Sequence, residues 1–158
     1  MKKNIAIFVY DDIEILDFTG PYEIFSIADE LRSGNLFNLF LVSEHKSRLI
    51  ARNNFKFEAD YQFYKHPKID YLLIPGGPGA RVQENNDNVL NWIELQFFKI
   101  EHLLTICTGS RILANTKILS NEQVTTHWNS VNDLKVNKGI KVIHNVRYTD
   151  NGKILTSG

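Results

Sequence analysis

Three short apolar runs, each followed at once by turn-forming residues, constrain the fold of this chain more than any other feature. The runs are Ile5 to Tyr10, Tyr71 to Ile74 and His102 to Ile106. Strands that are buried on both faces of a parallel sheet have this nearly continuous apolar character. Between the runs, apolar residues recur at helical spacing, as from Ile24 to Leu31 and from Val89 to Phe97. The alternation predicts an α/β fold in which helices cover a mainly parallel sheet.

Local turn signals predict the boundaries of the other elements. We expect Thr19 or Gly20 to cap the first helix, Pro21 to lie in its first turn, and Gly34 to end it. We expect a helix to follow the third run, starting at Arg111. A further strand and two hairpins are predicted over these segments: Phe37 to Ser43, Arg48 to Arg52 with Phe55 to Glu58, and Ile143 to Thr149 with Lys153 to Thr156.

Composition limits the kinds of partner this chain can have. Its 158 residues are 43% hydrophobic and 23% charged, which fits one globular domain over residues 1–158. Lysine and arginine total 18, and so do aspartate and glutamate, so no net charge draws the protein to nucleic acid or to a membrane. Asp11-Asp12 ends the first run before it could form a signal peptide, and one cysteine cannot form an internal disulfide. We therefore expect a cytoplasmic protein.

The carboxyl ends of the predicted strands define a candidate site. In open parallel sheets, ligands bind beyond these ends. This rule brings together Asp17, which follows the first run, the turn at Gly76-Gly77, which follows the second, and Cys107, which follows the third. We expect these segments to meet at one edge of the sheet.

Cys107 is the only cysteine, and it lies between an apolar strand and the small residues Gly109 and Ser110. A sharp strand-to-helix turn at this point would expose the sulfur beside the unpaired amides of the following helix. That environment favours the thiolate, which is the nucleophilic form. The alternative is a buried cysteine that only packs, since free cysteine is among the most buried residue types.

Four segments, in this order and spacing, resemble the ThiJ/PfpI superfamily, whose fold is related to class I glutamine amidotransferases. They are Leu16 to Phe25, Ile74 to Gly79, Ile106 to Ser110 and Thr125 to Trp128. The first segment is similar to the branch that contains isonitrile hydratase and the sensor domains of AraC-type transcription regulators. The resemblance implies a flavodoxin-like three-layer sandwich.

The resemblance also implies roles for particular residues. Cys107 takes the place of the nucleophile, and Asp17 that of an acid that contacts the thiol and transfers protons. The amides of Gly77 and Thr108 become the expected oxyanion donors, with Gly76 as a possible accessory residue. The alternative for Asp17 is a carboxylate that only caps a helix or turn.

The resemblance places His127 in a segment that approaches the cysteine in other members of the superfamily. One hypothesis is that His127 activates the thiol as part of a triad. The alternative is a partly buried histidine with a structural role. Trp128 is expected to pack or to wall the pocket. The remaining histidines show no ligand spacing, so neither a metal nor another cofactor is predicted.

Three functions follow as hypotheses. The first is a cysteine-dependent hydratase that converts an isonitrile to an N-substituted formamide. The second is a non-catalytic domain that senses a small ligand, as in the AraC-type regulators. The third is a thiol stress-response protein or a hydrolase of the wider superfamily. In each, the partner is a small molecule, and the resemblance implies a homodimer.

The chain departs from the family pattern at two places. Members continue beyond a Thr-Ser-Gly-like end into another long helix, whereas this chain stops at Gly158. We therefore expect a sandwich that lacks the last helix, a domain truncated at its C-terminus, and self-association or poor solubility. Arg111 replaces a small apolar residue of the family, and we expect its side chain to point to solvent.

Overall fold

The computed structural model describes residues 2–135 and 139–158. Strands β1 to β11 are, in chain order, Lys3–Phe8, Phe37–Ser43, Arg48–Ala51, Phe55–Glu58, Tyr61–Gln62, Tyr71–Ile74, His102–Ile106, Gln123–Val124, Lys141–Val142, Tyr148–Asp150 and Ile154–Ser157. Helices α1 to α5 are Ile15–Leu31, Ala80–Gln83, Asp87–Phe97, Gly109–Ala114 and Val131–Leu134.

The main sheet confirms the predicted α/β fold. It has seven strands in the order β10-β11-β7-β6-β1-β2-β5, and only the pair of β10 and β11 is antiparallel. The chain runs from β1 to β2 on one side and later from β6 to β7 on the other. The order therefore reverses between β1 and β6, and ligands of such sheets bind at the carboxyl ends of strands at this reversal.

The centre of the sheet forms the core. Residues Ile5 to Val9 are fully buried, and so are Leu72, Ile74 and Leu103 on the neighbouring strands. Burial on both faces explains why these strands read as continuous apolar runs in the sequence. Three strands, β2, β6 and β7, have the predicted boundaries, and the hairpin of β3 with β4 lies where its turn residues indicated.

One face of the sheet is less covered than the other. Along β7, Leu103 and Thr105 are buried, whereas Leu104 and Ile106, which point to the opposite face, are only half-buried. A shallow apolar cavity of about 280 Å³ lies on this second face, between α1 and β11. Across residues 2–135 and 139–158, none of the helices combines the length and apolar character that a membrane span requires.

Several predicted boundaries were wrong. Strand β1 spans Lys3–Phe8 and not Ile5 to Tyr10, and α4 begins at Gly109 and not at Arg111. Helix α1 begins at Ile15 and contains Pro21, so Asp17 lies in its first turn and not before it. In the part of the chain that the structure describes, no side chain caps this helix. Its start is fixed by the Glu14 amide, which donates to the Gly76 carbonyl at 2.9 Å. The predicted strand from Ile143 to Thr149 is also too long, because only Tyr148–Asp150 pairs with β11.

Candidate active site

Cys107 lies at the sharp turn that the sequence predicted between β7 and α4. Its φ is 55°, in the left-handed region that non-glycine residues rarely adopt. The turn also brings Gly109 against the neighbouring strand, where a Cβ would lie 2.0 Å from the carbonyl oxygen of Ile74. Only glycine fits there, so the backbone itself holds the cysteine at the end of its strand.

Asp17 reaches the cysteine from the first turn of α1. The Gly76 amide donates to Asp17 Oδ2 at 3.1 Å, and the carboxylate lies within hydrogen-bonding reach of the Cys107 thiol. A Cβ on Gly76 would lie 3.0 Å from the same oxygen and 2.5 Å from the Thr108 amide nitrogen. The three loops at the ends of β1, β6 and β7 therefore meet as the strand-end rule predicted.

The thiol of Cys107 is held in its protonated form. Burial, followed by the negative charge of Asp17, raises its pKa to about 11. The amide and hydroxyl of Thr108 act in the opposite direction but are outweighed. The expectation of a thiolate favoured by the helix was wrong, because α4 is only six residues long and the burial of the sulfur disfavours its charge more strongly.

The Asp17 carboxyl is shifted in the same direction. Burial raises its pKa above the usual range, while the Gly76 amide and the Cys107 thiol lower it. The two groups affect each other in opposite directions: the negative charge of Asp17 raises the pKa of the thiol, whereas a hydrogen bond from the thiol stabilises the carboxylate. A proton can therefore pass between sulfur and carboxylate without leaving the site.

The two residues that supply the expected oxyanion donors contact each other through the Thr108 side chain. The Gly77 amide donates to the Thr108 hydroxyl at 2.8 Å, and this hydroxyl donates to the Gly77 carbonyl at 3.2 Å. The Thr108 amide acts on the Cys107 sulfur. A substrate oxyanion would have to displace the Thr108 hydroxyl to reach the Gly77 amide.

His127 lies near the turn that carries Cys107. Within the described residues, no hydrogen bond joins its ring to the thiol. It is half-buried, and its Nδ1 accepts from the Asn129 amide at 3.3 Å. Its electrostatic interaction with Asp17 lowers the pKa of that carboxyl, so the ring lies within electrostatic range of the carboxylate. The preceding Thr126 anchors the segment, because its hydroxyl donates to the Cys107 carbonyl at 3.0 Å.

Two aromatic residues border the site in different ways. Trp128 is 78% exposed, so it lies at the surface and is not part of the core. Tyr10 is buried, and its hydroxyl donates to the Pro75 carbonyl at 2.7 Å, which supports the turn that carries Gly76. Sequence reasoning missed Tyr10; its position as the last residue of an apolar run was the available signal.

Arg111 does not point to solvent, as we had expected. Its guanidinium pairs with both oxygens of Glu84, at 2.7 and 2.8 Å, and with Asp133 at 2.5 Å. The side chain is only 11% exposed. Arg111 therefore joins α2, α4 and α5 behind the cysteine, and no effect of its charge on the thiol is among the causes of the shifted thiol pKa.

Comparison with known proteins decides the family. The model of the DJ-1/PfpI family matches residues 3–158. The chain belongs to the DJ-1/PfpI family. This confirms the resemblance to ThiJ/PfpI proteins that the four sequence segments indicated.

Proteins that resemble this chain have different described roles. Isonitrile hydratase from Pseudomonas putida is 23% identical over 158 residues, which are 100% of this chain and 66% of that enzyme. The transcriptional regulator GbdR from Pseudomonas aeruginosa is 21% identical over 126 residues, 80% of this chain and 34% of the regulator. The crystal structure of a ThiJ/PfpI family protein from Pseudomonas syringae has a TM-score of 0.86 at 19% identity, covering 99% of this chain and 62% of that one. The chain thus spans less than two thirds of each of these proteins.

Proposed function

We propose that this chain is a cysteine-dependent hydratase that converts an isonitrile to an N-substituted formamide. The observation that carries the proposal is the contact between Asp17 and the Cys107 thiol, where both groups have raised pKa values. A nucleophile and a proton carrier in contact are what this addition requires. The likeness to the hydratase from Pseudomonas putida supports the same reaction.

In the first step, the sulfur attacks the terminal carbon of the isonitrile. Asp17 takes the thiol proton as the carbon–sulfur bond forms and gives it to that carbon, so that a thioimidate results. No net proton is gained or lost. The pKa of the thiol, about 11, requires this transfer, because few free thiolates exist at neutral pH.

In the second step, water adds across the carbon–nitrogen double bond of the thioimidate. As the carbon–oxygen bond forms, Asp17 accepts a proton from the water and passes it to the nitrogen. The carbon–sulfur bond then breaks, Asp17 takes the remaining hydroxyl proton of the intermediate and gives it to the sulfur, and the formamide leaves. The amide of Thr108, which already acts on the sulfur, would stabilise charge in this step.

The test is an assay of formamide from a simple alkyl isonitrile, with the purified protein and the variant Cys107→Ala. We expect formamide from the parent protein and none above the uncatalysed rate from the variant. No formamide from the folded parent protein, or equal formamide from both, would contradict the proposal.

A second candidate is a ligand-sensing domain without catalysis. The protonated thiol favours it, because a cysteine with a pKa of about 11 is a weak nucleophile unless a base acts on it. The likeness of 80% of this chain to part of the regulator GbdR agrees with this candidate. Saturable binding of the isonitrile without formamide would favour a sensor over a hydratase.

A further inference from the structure

A cavity of about 440 Å³ lies between the segment that follows β8 and the segment that precedes β10. Residues that line it include His127, Trp128, His144, Val146 and Arg147. We call it the His127–Arg147 cavity. Sites for small molecules have volumes of about 300 to 1,000 Å³, so this cavity is large enough for one.

The lining of the His127–Arg147 cavity is basic in a protein with no net charge. It contains two imidazoles and one guanidinium, and no described aspartate or glutamate lines it. Arg147 is exposed and forms no ion pair with any carboxylate of residues 2–135 and 139–158. Other arginines do pair with carboxylates: Arg48, Arg52, Arg81 and Arg111.

The ring of His127 offers a donor. Its Nδ1 accepts from the Asn129 amide, so the neutral ring carries its proton on Nε2. Apolar surface lies beside these polar groups, since Trp128 is 78% and Val146 40% exposed. The combination fits a ligand that has an anionic group and an apolar part.

Hydrogen bonds connect the residues around the cavity to the Cys107 turn from two directions. Thr126 donates from its hydroxyl to the Cys107 carbonyl at 3.0 Å, and the Cys107 amide donates to the Ser157 carbonyl at 3.0 Å. The Gly158 amide donates to the Arg147 carbonyl at 3.2 Å. A ligand in the cavity therefore lies next to the turn that carries the nucleophile.

We propose that the His127–Arg147 cavity binds a small organic carboxylate with an apolar substituent. The guanidinium of Arg147 holds the two carboxylate oxygens, because its planar pair of donors matches their geometry. The imidazoles of His127 and His144 donate to the same group, and Trp128 packs on the substituent. The binding does not require hydratase activity, so it stands or falls separately from the proposed reaction.

The test compares probes with alkyl chains of similar length and with different head groups: a carboxylate, a neutral amide and a phosphate. Hexanoate, hexanamide and hexyl phosphate are titrated into the protein, and the heat of binding is measured. Tryptophan emission locates the ligand, because Trp128 is exposed and the second tryptophan, Trp92, is 7% exposed. The variant Arg147→Gln removes the charge. Arg32→Gln is the matched control, since Arg32 is likewise exposed and forms no ion pair among the described residues.

We expect hexanoate to bind at least about tenfold more tightly than hexanamide, because a charge-assisted hydrogen bond is stronger than a neutral one. Arg147→Gln should abolish this preference, and Arg32→Gln should preserve it. The change in emission should disappear in Trp128→Phe. Equal affinity for hexanoate and hexanamide, or an equal loss in Arg32→Gln, would overturn the proposal.

Two further results would also overturn it. A preference for hexyl phosphate over hexanoate would assign the cavity to phosphate esters and not to carboxylates. The absence of any heat with hexanoate at millimolar concentration would mean that the cavity does not bind this class of ligand. In either case the formamide assay on Cys107→Ala would still test the proposed reaction.

Discussion

The two sides of Cys107 are built differently. On the side of Asp17, backbone segments approach so closely that glycine is required, as at Gly76 and Gly109. On the side of His127, a cavity is lined by the exposed Trp128 and by Arg147, which pairs with no carboxylate of the described residues. The first side fixes the geometry of the reacting groups, whereas the second leaves room for a ligand. We infer that chemistry depends on the first side and ligand choice on the second.

We call the side of Asp17 the rigid side. The largest expected effect comes from adding one methyl group there. Gly109→Ala would place a Cβ 2.0 Å from the Ile74 carbonyl oxygen, a contact that only a shift of backbone can relieve. We expect it to cost more than about 4 kcal/mol in the free energy of unfolding, measured by urea denaturation.

The matched control for this variant is Gly20→Ala. A Cβ at Gly20, inside α1, meets nothing closer than 3.6 Å. Alanine in a helix should therefore raise stability by about 0.5 to 1 kcal/mol. If Gly109→Ala were as stable as the control, the backbone segments at Gly109 would not be packed as closely as we infer.

The next effect separates the two readings of Asp17. Asp17→Asn removes the proton carrier, and kcat for formamide production should fall about 10² to 10⁴-fold. Asp87→Asn is the control, because Asp87 also lies in the first turn of a helix but is exposed. Equal activity losses in the two variants would reduce Asp17 to a carboxylate that only stabilises its helix.

A smaller effect is expected on the side of His127, which we call the open side. His127→Gln should lower kcat by less than about tenfold, because no hydrogen bond joins the ring to the thiol among the described residues. Steady-state kinetics with an alkyl isonitrile measures this. A loss as large as that in Asp17→Asn would restore the triad hypothesis and end the contrast between the two sides.

The sequence predicted the rigid side better than the open one. Continuous apolar runs identified β6 and β7, and glycine density identified the turn that follows β6, because both signals are local. The start of α1 was misplaced because a bond from Glu14 to Gly76, and not a local cap, sets it. Rules that consider only neighbouring residues cannot predict a hydrogen bond between distant segments.

The charges around Cys107 were harder to predict for the same reason. The sequence showed that Arg111 follows the cysteine by one turn, but not that Glu84 and Asp133 bind it. It indicated an amide-rich turn that favours a thiolate, but not how far burial opposes this. Burial and pairing depend on the assembled structure, so pKa shifts are the property that sequence patterns convey least.

The reactivity of the thiol against pH tests the contact of Cys107 with Asp17 most directly. The raised pKa means that the thiol stays protonated through neutral pH, so the rate of alkylation by iodoacetamide should rise with pH toward a midpoint of about 11. The negative charge of Asp17 contributes to this shift, so Asp17→Asn should lower the midpoint. A midpoint near the free-cysteine value of about 8.5, unchanged in Asp17→Asn, would contradict the account.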